Sequence, residues 1–303
     1  KPRSSAICLR SSSCAFRKNV GGQLMDLSEP QVMGILNVTP DSFYENSRQQ
    51  SEAQIAERTE QIVTEGASII DIGAYSSRPG AADVTAEEEM KRLSAALRIV
   101  RSTAPEAVIS VDTFRAQVAR QCVEEYGVHI INDISGGELD AEMYRTVAEL
   151  NVPYILTHML GNPQNMQEKA EYRNITKEVI AYLGQRMERL HEMGVCDVIL
   201  DPGFGFAKTL DHNYDLMAHL QELKVLQAPL LVGVSRKSMV YRLLGCTPQE
   251  ALAGTVALHT IALLKGASIL RVHDVKAAAE AVCIVREMQK HTDDGTHQPK
   301  QTI

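Results

Sequence analysis

The chain has 303 residues, of which 44% are hydrophobic and 23% charged, and its formal net charge is -7 at pH 7. A chain of this size and composition buries a large core, and its acidic balance argues against general nucleic-acid binding. The six cysteines form no CxxC pair and no apolar run approaches the ~18 residues of a membrane span, so we expect a cytoplasmic protein without a membrane segment, a zinc ribbon or a disulfide framework.

The two ends of the chain differ in composition from the rest. The N-terminal stretch KPRSSAICLRSSSCAFRK is basic and rich in Ser, lacks the apolar core of a signal peptide and resembles a transit peptide in composition. The C-terminal stretch HTDDGTHQPKQTI is polar. We predict a disordered extension over residues 1–20, one folded domain over 21–290 and a loose tail over 291–303.

From residue 32 onward one pattern repeats: a short β-rich apolar run, a polar or Gly-containing turn and a helical stretch. The runs lie at 32–38, 68–73, 108–113, 129–135, 153–159, 198–203, 230–235 and 269–274. Strands separated by helices pair in parallel through right-handed crossovers, and eight strands close a barrel. The sequence therefore predicts the α/β class and a single-domain (β/α)8 TIM barrel. An open doubly wound sheet has the same rhythm, but no GxGxxG follows the first run and no second domain is evident.

Two of the helical segments carry further signals. The first has helical spacing through Ile55 and Ile62, with Ser51 as the predicted N-cap and Gly66 just past its end. The later TPQE at 247–250 has the pattern of a capping box at the start of a helix. The residues that follow, up to 264, are apolar nearly all round. A helix of this kind needs cover on its outer side, so we expect a homodimer interface there.

Polar side chains end most of the predicted strands. They are Asn37, Asp71, Asp112, Asn132, Asp133, His158, Asp201, Ser235, Lys237, Arg271 and His273. Any one of them could be a helix cap, but active sites of TIM barrels gather at the carboxyl ends of the strands, so the accumulation predicts a site there. Carboxylates and an amide suit a planar ring with amino and oxo groups. Positive charge that could hold phosphate groups comes from Arg271, Lys237, Arg78 and His273, so we expect a planar, phosphorylated ligand.

A zinc hydrolase is the metal-dependent alternative for a barrel. Such enzymes normally have an HxH pair on an early strand, and the first run, VMGILNV, has no histidine. His158 is one of two histidines at strand ends. We predict a structural role for it, because its neighbour Met159 is the better candidate for lining a pocket.

Several motifs together resemble the dihydropteroate synthase family, in order and at family-like spacing. They are MGILNVTPDSF (33–43), SSRPG (76–80), SVDT (110–113), INDISGG (131–137), HMLGNPQNMQ (158–167), DPGFGFAKT (201–209), VSRKS (234–238) and LRVHDV (270–275). The resemblance covers about residues 21–290. It implies a folate-biosynthesis barrel that joins 6-hydroxymethyl-7,8-dihydropterin pyrophosphate to 4-aminobenzoate with the help of Mg2+, and that is a target class for sulfonamides. It also implies a homodimer.

The resemblance also implies site residues. It places the pterin against Asp112, Asn132, Met159, Asp201, Lys237 and Arg271, of which Asp112, Lys237 and Arg271 are the expected catalytic residues. It places the pyrophosphate at Asn37, Arg78 and His273, with Mg2+ on Asn37, and 4-aminobenzoate at Ser77, Pro79, Phe206 and Ser238. In this assignment Asp112 stabilises a pterin cation formed as pyrophosphate leaves. The loops at 39–50 and 75–86 are expected to close over the substrates.

Asn132 and its neighbour Asp133 lie next to each other on the predicted strand at 129–135. Because side chains alternate along a strand, only one of the two can face the barrel interior. The family motif assigns Asn132 to the pterin, which leaves Asp133 as a structural brace.

Three departures from the family pattern are Ala74 in place of the second of two glycines, Ser77 in place of Thr, and Leu160 in place of a polar residue. We expect them to affect substrate fit and drug response. Two other functions share the pterin contacts: methyl transfer from a folate to a corrinoid protein, and pterin binding without catalysis. The first does not require SSRPG or SRKS, which are both present, and the second is disfavoured by the intact site residues.

Overall fold

Parallel strands form the centre of the protein in the computed structural model, which describes residues 17–20, 22–38, 48–75, 84–162 and 165–293. The barrel strands are β3 (Gln31–Asn37), β4 (Ile69–Gly73), β5 (Val108–Asp112), β6 (Ile130–Asp133), β7 (Tyr154–Thr157), β8 (Val198–Asp201), β9 (Leu231–Val232) and β10 (Ile269–Val272). They are hydrogen-bonded in the order β8-β7-β6-β5-β4-β3-β10-β9. A parallel bridge between Leu200 and Leu230 joins the two ends of this order. The predicted TIM barrel is confirmed, and the open doubly wound sheet is not the fold.

Helices lie between the strands along the chain. They are α1 (Arg48–Thr64), α2 (Ala86–Thr103), α3 (Ala116–Tyr126), α4 (Met143–Leu150), α5 (Ile175–Glu192), α6 (Leu210–Ala218), α7 (Ser238–Leu244), α8 (Leu252–Leu264) and α9 (Val275–Asp293). Two short 3-10 helices among the described residues span Met166–Lys169 and Leu220–Leu226. Among the described residues, no helix is long and apolar enough to span a membrane.

Two predicted helix starts are wrong. α1 begins at Arg48, so Ser51 lies inside the helix and is not its N-cap. α8 begins at Leu252, and the preceding TPQE segment forms a turn in which the Glu250 carboxylate accepts hydrogen bonds from the backbone and hydroxyl of Thr247. The Thr and Glu of the capping pattern therefore contact each other as predicted, but they stabilise a turn that precedes the helix. The exit from α1 is as predicted, with Gly66 at φ 99°, a left-handed conformation that favours glycine.

The barrel interior is layered because side chains alternate between the inside and the outside of each strand. The lowest layer is apolar and fully buried, and Leu27, which precedes β3 in the chain, packs against it. Its members on the strands are Met33, Ile69, Ile130, Ile155, Ile199, Leu231 and Ile269. The intervening residues, such as Ile70 and Val111, face outward into the core between the strands and the helices.

The next interior layer, two residues further along each strand, has a different character. Its side chains are Ile35, Asp71, Ser110, Asn132, Thr157, Asp201 and Arg271, with Gly233 completing the ring. Five of the six polar side chains are buried, and the sixth, Arg271, is partly accessible to solvent. The interior thus changes from aliphatic to polar over two residues of each strand. Burying polar groups costs free energy, so this layer marks the floor of a site.

Ordered structure begins before the predicted start of the domain. An antiparallel hairpin, β1 (Arg17–Val20) and β2 (Gln23–Asp26), precedes the barrel, so the segment predicted to be a disordered extension over 1–20 includes a strand. The hairpin is held by a salt bridge from Lys18 to Asp197 near the start of β8. At the other end, α9 runs to Asp293, which takes the helix into the predicted tail at 291–303. The remaining residues of both terminal segments lie outside the described part.

Candidate active site

A guanidinium bridges two carboxylates at the centre of the barrel mouth. Arg271 on β10 donates from Nε to Asp71 Oδ2 at 2.6 Å and from Nη2 to Asp112 Oδ2 at 2.7 Å. These partners lie 200 and 159 residues away along the chain, and the parallel barrel brings them together because β3, β4 and β5 follow β10 in the sheet order. The burial of Arg271 would lower its pKa, but the two carboxylates more than offset this and raise it above its usual value.

Asp112 is the carboxylate nearest to the opening of the barrel. About a fifth of its side chain (21%) remains accessible, while Asp71, one layer deeper, has no accessible side-chain surface. Burial raises the pKa of Asp112 to about 7; Arg271 lowers it, and Asp71 raises it further. Asp112 is therefore a carboxylate that titrates near neutral pH and that a ligand can reach.

Asn132 and Asp133 are divided between the two faces of β6, as predicted. Asn132 faces inward, and its Nδ2 donates to Asp71 Oδ2 at 3.1 Å. Asp133 is buried on the other side, where it accepts hydrogen bonds from the Tyr154 hydroxyl at 2.7 Å, from the backbone and hydroxyl of Ser135, both at 2.7 Å, and from the Gly137 backbone at 2.9 Å. With these donors Asp133 closes the turn after β6 and is the brace that the alternation indicated.

Asp201 and Lys237 form the opposite wall. Burial raises the pKa of Asp201, and the nearby Lys237 ammonium offsets part of this rise. The Asp201 Oδ1 accepts a hydrogen bond from the Gly203 backbone at 2.7 Å. Burial lowers the pKa of Lys237 to about 8. The Lys237 ammonium donates to the Phe204 carbonyl at 2.6 Å and lies 4.6 Å from the centre of the Phe206 ring. Lys237 thus joins the polar floor to an aromatic wall.

The loop after β8 carries that aromatic wall. It turns through left-handed residues at Gly203 (φ 71°), Gly205 (φ 82°) and Ala207 (φ 48°), and a Cβ on Gly203 would collide with the His158 carbonyl. Phe206 is half-buried and packs with Met159 and Ala207, so the predicted pocket residues Met159 and Phe206 are brought into one cluster.

Lys208 holds this loop from inside. Its buried ammonium is 2.9 Å from His158 Nδ1 and donates to the carbonyls of Gly203 and Phe206 at 2.9 and 3.1 Å. Burial lowers the pKa of Lys208 to about 7 and the pKa of His158 well below its usual value. His158 is therefore a neutral, buried partner of Lys208, consistent with the structural role predicted for it.

Asn37, His273 and Ser238 lie around the rim. Asn37 ends β3 and is exposed, and its Oδ1 and the Asp112 side chain both lie close to Gly73, where a Cβ would be 3.6 Å from each. Ser238 is the half-buried first residue of α7. His273 is 3.2 Å from the Ser235 hydroxyl, and burial, reinforced by Arg271, lowers its pKa to about 4. At this pKa the His273 imidazole is neutral at pH 7, so in this state it offers the predicted phosphate site a hydrogen-bond donor.

Some of the predicted site residues fall outside the described part of the chain. Ser77, Arg78 and Pro79 are among them, as is most of the two loops expected to close over the substrates. Two family departures can be placed: Ala74 is buried in the outer core, away from the pocket, and Leu160 packs beside Met159 and Phe206. Of these two, only Leu160 is positioned to affect ligand fit.

Two residues of the site had no role assigned from the sequence. Asp71 is a polar residue near the end of its strand, and the alternation from Ile69 places it on the interior face. Lys208 lies within a recognised motif, but no sequence signal shows that a lysine in a loop is fully buried. Among the described residues, no three His, Cys, Asp or Glu side chains cluster in a way that could hold a metal ion.

Comparison with known proteins gives a consistent result. The family model described as "Pterin binding enzyme" matches residues 33–273. The dihydropteroate synthase of Escherichia coli (strain K12) is 44% identical over 272 residues, covering 87% of this chain and 93% of the relative. A Yersinia pestis dihydropteroate synthase solved with a sulfonamide drug complex has a TM-score of 0.81 at 42% identity, covering 90% of this chain and 99% of that one. A Xanthomonas albilineans dihydropteroate synthase solved with 4-aminobenzoic acid has a TM-score of 0.83 at 35% identity, covering 91% and 98%.

Proposed function

The chain belongs to the dihydropteroate synthase family of pterin-binding enzymes, and from that premise we propose how its barrel mouth performs the reaction. The enzyme is a transferase that joins 6-hydroxymethyl-7,8-dihydropterin pyrophosphate to 4-aminobenzoate and releases 7,8-dihydropteroate and pyrophosphate. The bond from the methylene carbon to the pyrophosphate oxygen breaks, a bond from that carbon to the aniline nitrogen forms, and the amine loses one proton. The observation that carries the proposal is the polar interior layer beneath the barrel mouth, with Arg271 bridging Asp71 and Asp112.

The pterin ring binds edge-on between the two walls of the mouth. The Asp201 carboxylate accepts hydrogen bonds from the amino-pyrimidine edge, Lys237 donates to the ring, and Asn132 contacts the same heterocycle from β6. Met159 lines the pocket, and the Arg271 guanidinium lies over the ring face. These groups suit a flat ring with both donors and acceptors, because their planes and protonation states are set by hydrogen bonds already present in the barrel.

The charge of the mouth favours a positively charged transition state. Asp71, Asp112 and Asp201 outnumber the cations Arg271 and Lys237 by one when all five groups are ionised. As pyrophosphate departs, positive charge develops on the pterin, and the accessible Asp112 carboxylate stabilises it from within the barrel. A weak aniline nucleophile requires an electrophile of this strength, so no covalent bond to the enzyme is needed.

The second substrate, 4-aminobenzoate, binds outside the pterin, against Phe206 and Lys237. Ser238 at the start of α7 receives its carboxylate, and Ser77 and Pro79 complete the pocket; these last two are predictions from the motif. The Lys237 ammonium above the Phe206 ring supplies a cation on an aromatic wall, which suits an anionic aryl ligand. The aminobenzoate and sulfonamide ligands of the two solved relatives support the same ligand class, and we propose that sulfonamides compete here.

The pyrophosphate and Mg2+ bind at the rim. Asn37 offers an exposed amide oxygen beside Gly73 and Asp112, which is a hard ligand of the kind that Mg2+ accepts, and one protein ligand is sufficient when phosphate oxygens and water fill the rest of the coordination sphere. When bound, the ion offsets charge on the leaving pyrophosphate. His273, neutral at pH 7, donates a hydrogen bond to the phosphates, and Arg78 is the cation predicted for them.

We also propose a cytoplasmic homodimer. The exposed side of α8 is a continuous apolar stripe of Ala253, Ala257, Ile261 and Leu264, and the neighbouring α9 exposes Ile284 and Met288. An apolar surface of this kind on helices of a barrel is typical of subunit contact. The thiols of Cys122, Cys196, Cys246 and Cys283 are unpaired, which fits a reducing compartment.

One assay tests the proposed function directly. The purified chain is mixed with the pterin pyrophosphate, 4-aminobenzoate and Mg2+, and dihydropteroate and pyrophosphate are measured. We expect both products in equal amounts, with loss of turnover in a chelator and recovery on adding Mg2+. Pterin binding without product would instead support a non-catalytic paralogue. Methyl transfer from a folate to a corrinoid protein, with no dihydropteroate formed, would support the methyltransferase alternative.

A further inference from the structure

Asp71 makes contacts that the proposed function leaves unassigned. One of its oxygens, Oδ2, accepts two hydrogen bonds: from Arg271 Nε at 2.6 Å and from Asn132 Nδ2 at 3.1 Å. Resting on the proposed function, we propose that Asp71 is the positioning residue for the pterin site, and that it acts through Arg271 and Asn132 without touching the substrate itself.

The contact to Arg271 sets the plane of the guanidinium. An arginine side chain loses rotamer entropy when it is fixed, so a ligand that must order it binds less tightly. Asp71 holds the Nε edge and Asp112 holds a terminal nitrogen, each by one short bond. When the pterin contacts Asp112, the Asp71 bond still holds the guanidinium. Arg271 is thereby pre-oriented before the ring arrives.

The contact to Asn132 decides which end of its amide faces the ligand. An Asn side chain ends in a planar amide, with a donor NH2 at one end and an acceptor oxygen at the other. Since Nδ2 donates to Asp71, the Asn132 oxygen is the end turned away from this carboxylate. A single carboxylate oxygen therefore fixes the plane of one pterin contact, Arg271, and the donor and acceptor ends of another, Asn132.

Depth separates Asp71 from the substrate-contacting residues. Asp71 pairs in register with Ser110, whereas Asp112 pairs with Gly73, one interior layer closer to the opening. The Asp71 side chain has no accessible surface, and its Oδ1 has no hydrogen-bond partner among the described residues. A buried carboxylate with one unpaired oxygen costs free energy, and proteins accept such costs mainly where function requires the group.

The first test compares Asp71→Asn with Thr176→Val, a change on α5, outside the polar interior layer, at another buried side chain whose hydroxyl has no partner among the described residues. Asp71→Asn keeps the side-chain shape but removes the charge that holds Arg271. We expect kcat/KM for the pterin pyrophosphate to fall roughly 10- to 100-fold, the loss typical of one hydrogen bond to a charged group, while KM for 4-aminobenzoate changes less than about twofold. Thr176→Val should stay within about twofold of the parent for both substrates. Equal behaviour of the two variants would overturn the proposal.

The second test asks whether Asp71 acts through Arg271. Affinity for unreactive 6-hydroxymethylpterin is measured by calorimetry for Asp71→Asn, Arg271→Gln and the double variant. If Asp71 works by positioning Arg271, Asp71→Asn weakens binding in the parent but causes little further loss once Arg271 is replaced, apart from the share carried by Asn132. Multiplied losses would show two independent structural effects and overturn the proposal.

Two features keep these tests decisive. The double variant removes one charge of each sign, so it keeps the pair testable even where Asp71→Asn alone folds poorly. Arg271→Gln and the double variant should then bind the pterin with closely similar affinity. A further large loss of affinity in the double variant would overturn the proposal. The binding cycle is also independent of turnover. A parent protein that forms no dihydropteroate would end the proposed function, whereas the pterin affinities would still decide the role of Asp71.

Discussion

Asp112 combines two properties that a residue stabilising a cation needs. Its carboxylate is deep enough for electrostatic interactions to be strong, and about a fifth of its surface is open to a ligand (21%). The bond from Arg271 restricts the carboxylate to one orientation before substrate binds. Such preorganisation is the reason why a single buried charge contributes more to catalysis than the same charge in water.

Replacing that charge should separate folding from catalysis. Asp112→Asn keeps the shape of the side chain and removes the negative charge that faces the pterin cation. We expect kcat to fall roughly 100-fold or more, which is the usual loss on removing one preorganised group from a charged transition state. Circular dichroism and a thermal melt check that the variant folds. Normal turnover in a folded Asp112→Asn protein would show that our role for this residue is wrong.

The ionisation of Asp112 and Lys237 predicts a narrow pH optimum. The pKa of Asp112 is raised to about 7 by burial, so its active carboxylate form is gained as the pH rises through this value. The pKa of Lys237 is lowered to about 8 by burial, so its donor form is lost as the pH rises further. A plot of kcat/KM against pH should be bell-shaped with limbs near these two values, since kcat/KM reports the free enzyme. In Asp112→Asn the residual activity should lose the acidic limb, and an unchanged limb would assign it to another group.

Individual elements place the site through their loops as much as through their strands. The loop after β8 has three left-handed residues in five positions, and a buried lysine, Lys208, ties its carbonyls to His158 beside β7. The carbonyls of Gly203 and Phe206 accept hydrogen bonds from the same ammonium, which links two positions of this loop. The loop thereby holds Phe206 at a fixed distance from Lys237.

Removing the Lys208 ammonium should loosen this wall and leave the pterin floor in place. In Lys208→Met the carbonyls of Gly203 and Phe206 lose their shared donor. We expect KM for 4-aminobenzoate to rise about 3- to 10-fold, and KM for the pterin pyrophosphate to change less, because the two lost hydrogen bonds orient the aromatic wall and do not contact either substrate. Steady-state kinetics with each substrate varied in turn measure this split. Lys177→Met on the exposed side of α5 is the matched control, and equal effects of both variants would contradict the role of Lys208.

At the scale of the whole molecule, the barrel has two distinct surfaces. The carboxyl ends of the strands carry the polar site, while the helices α8 and α9 present apolar side chains to solvent, among them Ile284 at 68% exposure. Exposed apolar side chains are unfavourable in an isolated chain and become favourable when a second copy covers them.

A charge on this surface should shift the chain toward monomer. In Ile284→Glu, two carboxylates would face an apolar contact between copies and would lose hydration there, so dimerisation should weaken at least tenfold. Size-exclusion chromatography with light scattering over a dilution series measures the change. Leu24→Glu is the matched control, because Leu24 is equally exposed (70%) but lies on the β1–β2 hairpin. A parent chain that is monomeric at all concentrations would contradict the dimer.

The sequence by itself determined the barrel and most of the site. Periodic apolar runs specify strands and their inward faces, because each side chain's burial depends on its position along a local repeat. The same local rule separated Asn132 from Asp133, and motif order located Asp112, Asp201, Lys237 and Arg271. Local signals were weaker at the ends of helices, where tertiary packing also decides the first helical residue. The helix starts predicted from Ser51 and from the TPQE segment were therefore wrong.

Only the tertiary structure decided how these groups act together. The bond from Arg271 to Asp71 joins residues 200 positions apart, and no local pattern encodes such a distance. The neutral state of His273 and the lowered pKa of the buried Lys208 likewise depend on burial by several separate elements, because the cost of desolvating a charge is set by everything packed around it. The residue types of the site are therefore written in the chain, whereas their protonation and orientation arise when the barrel closes.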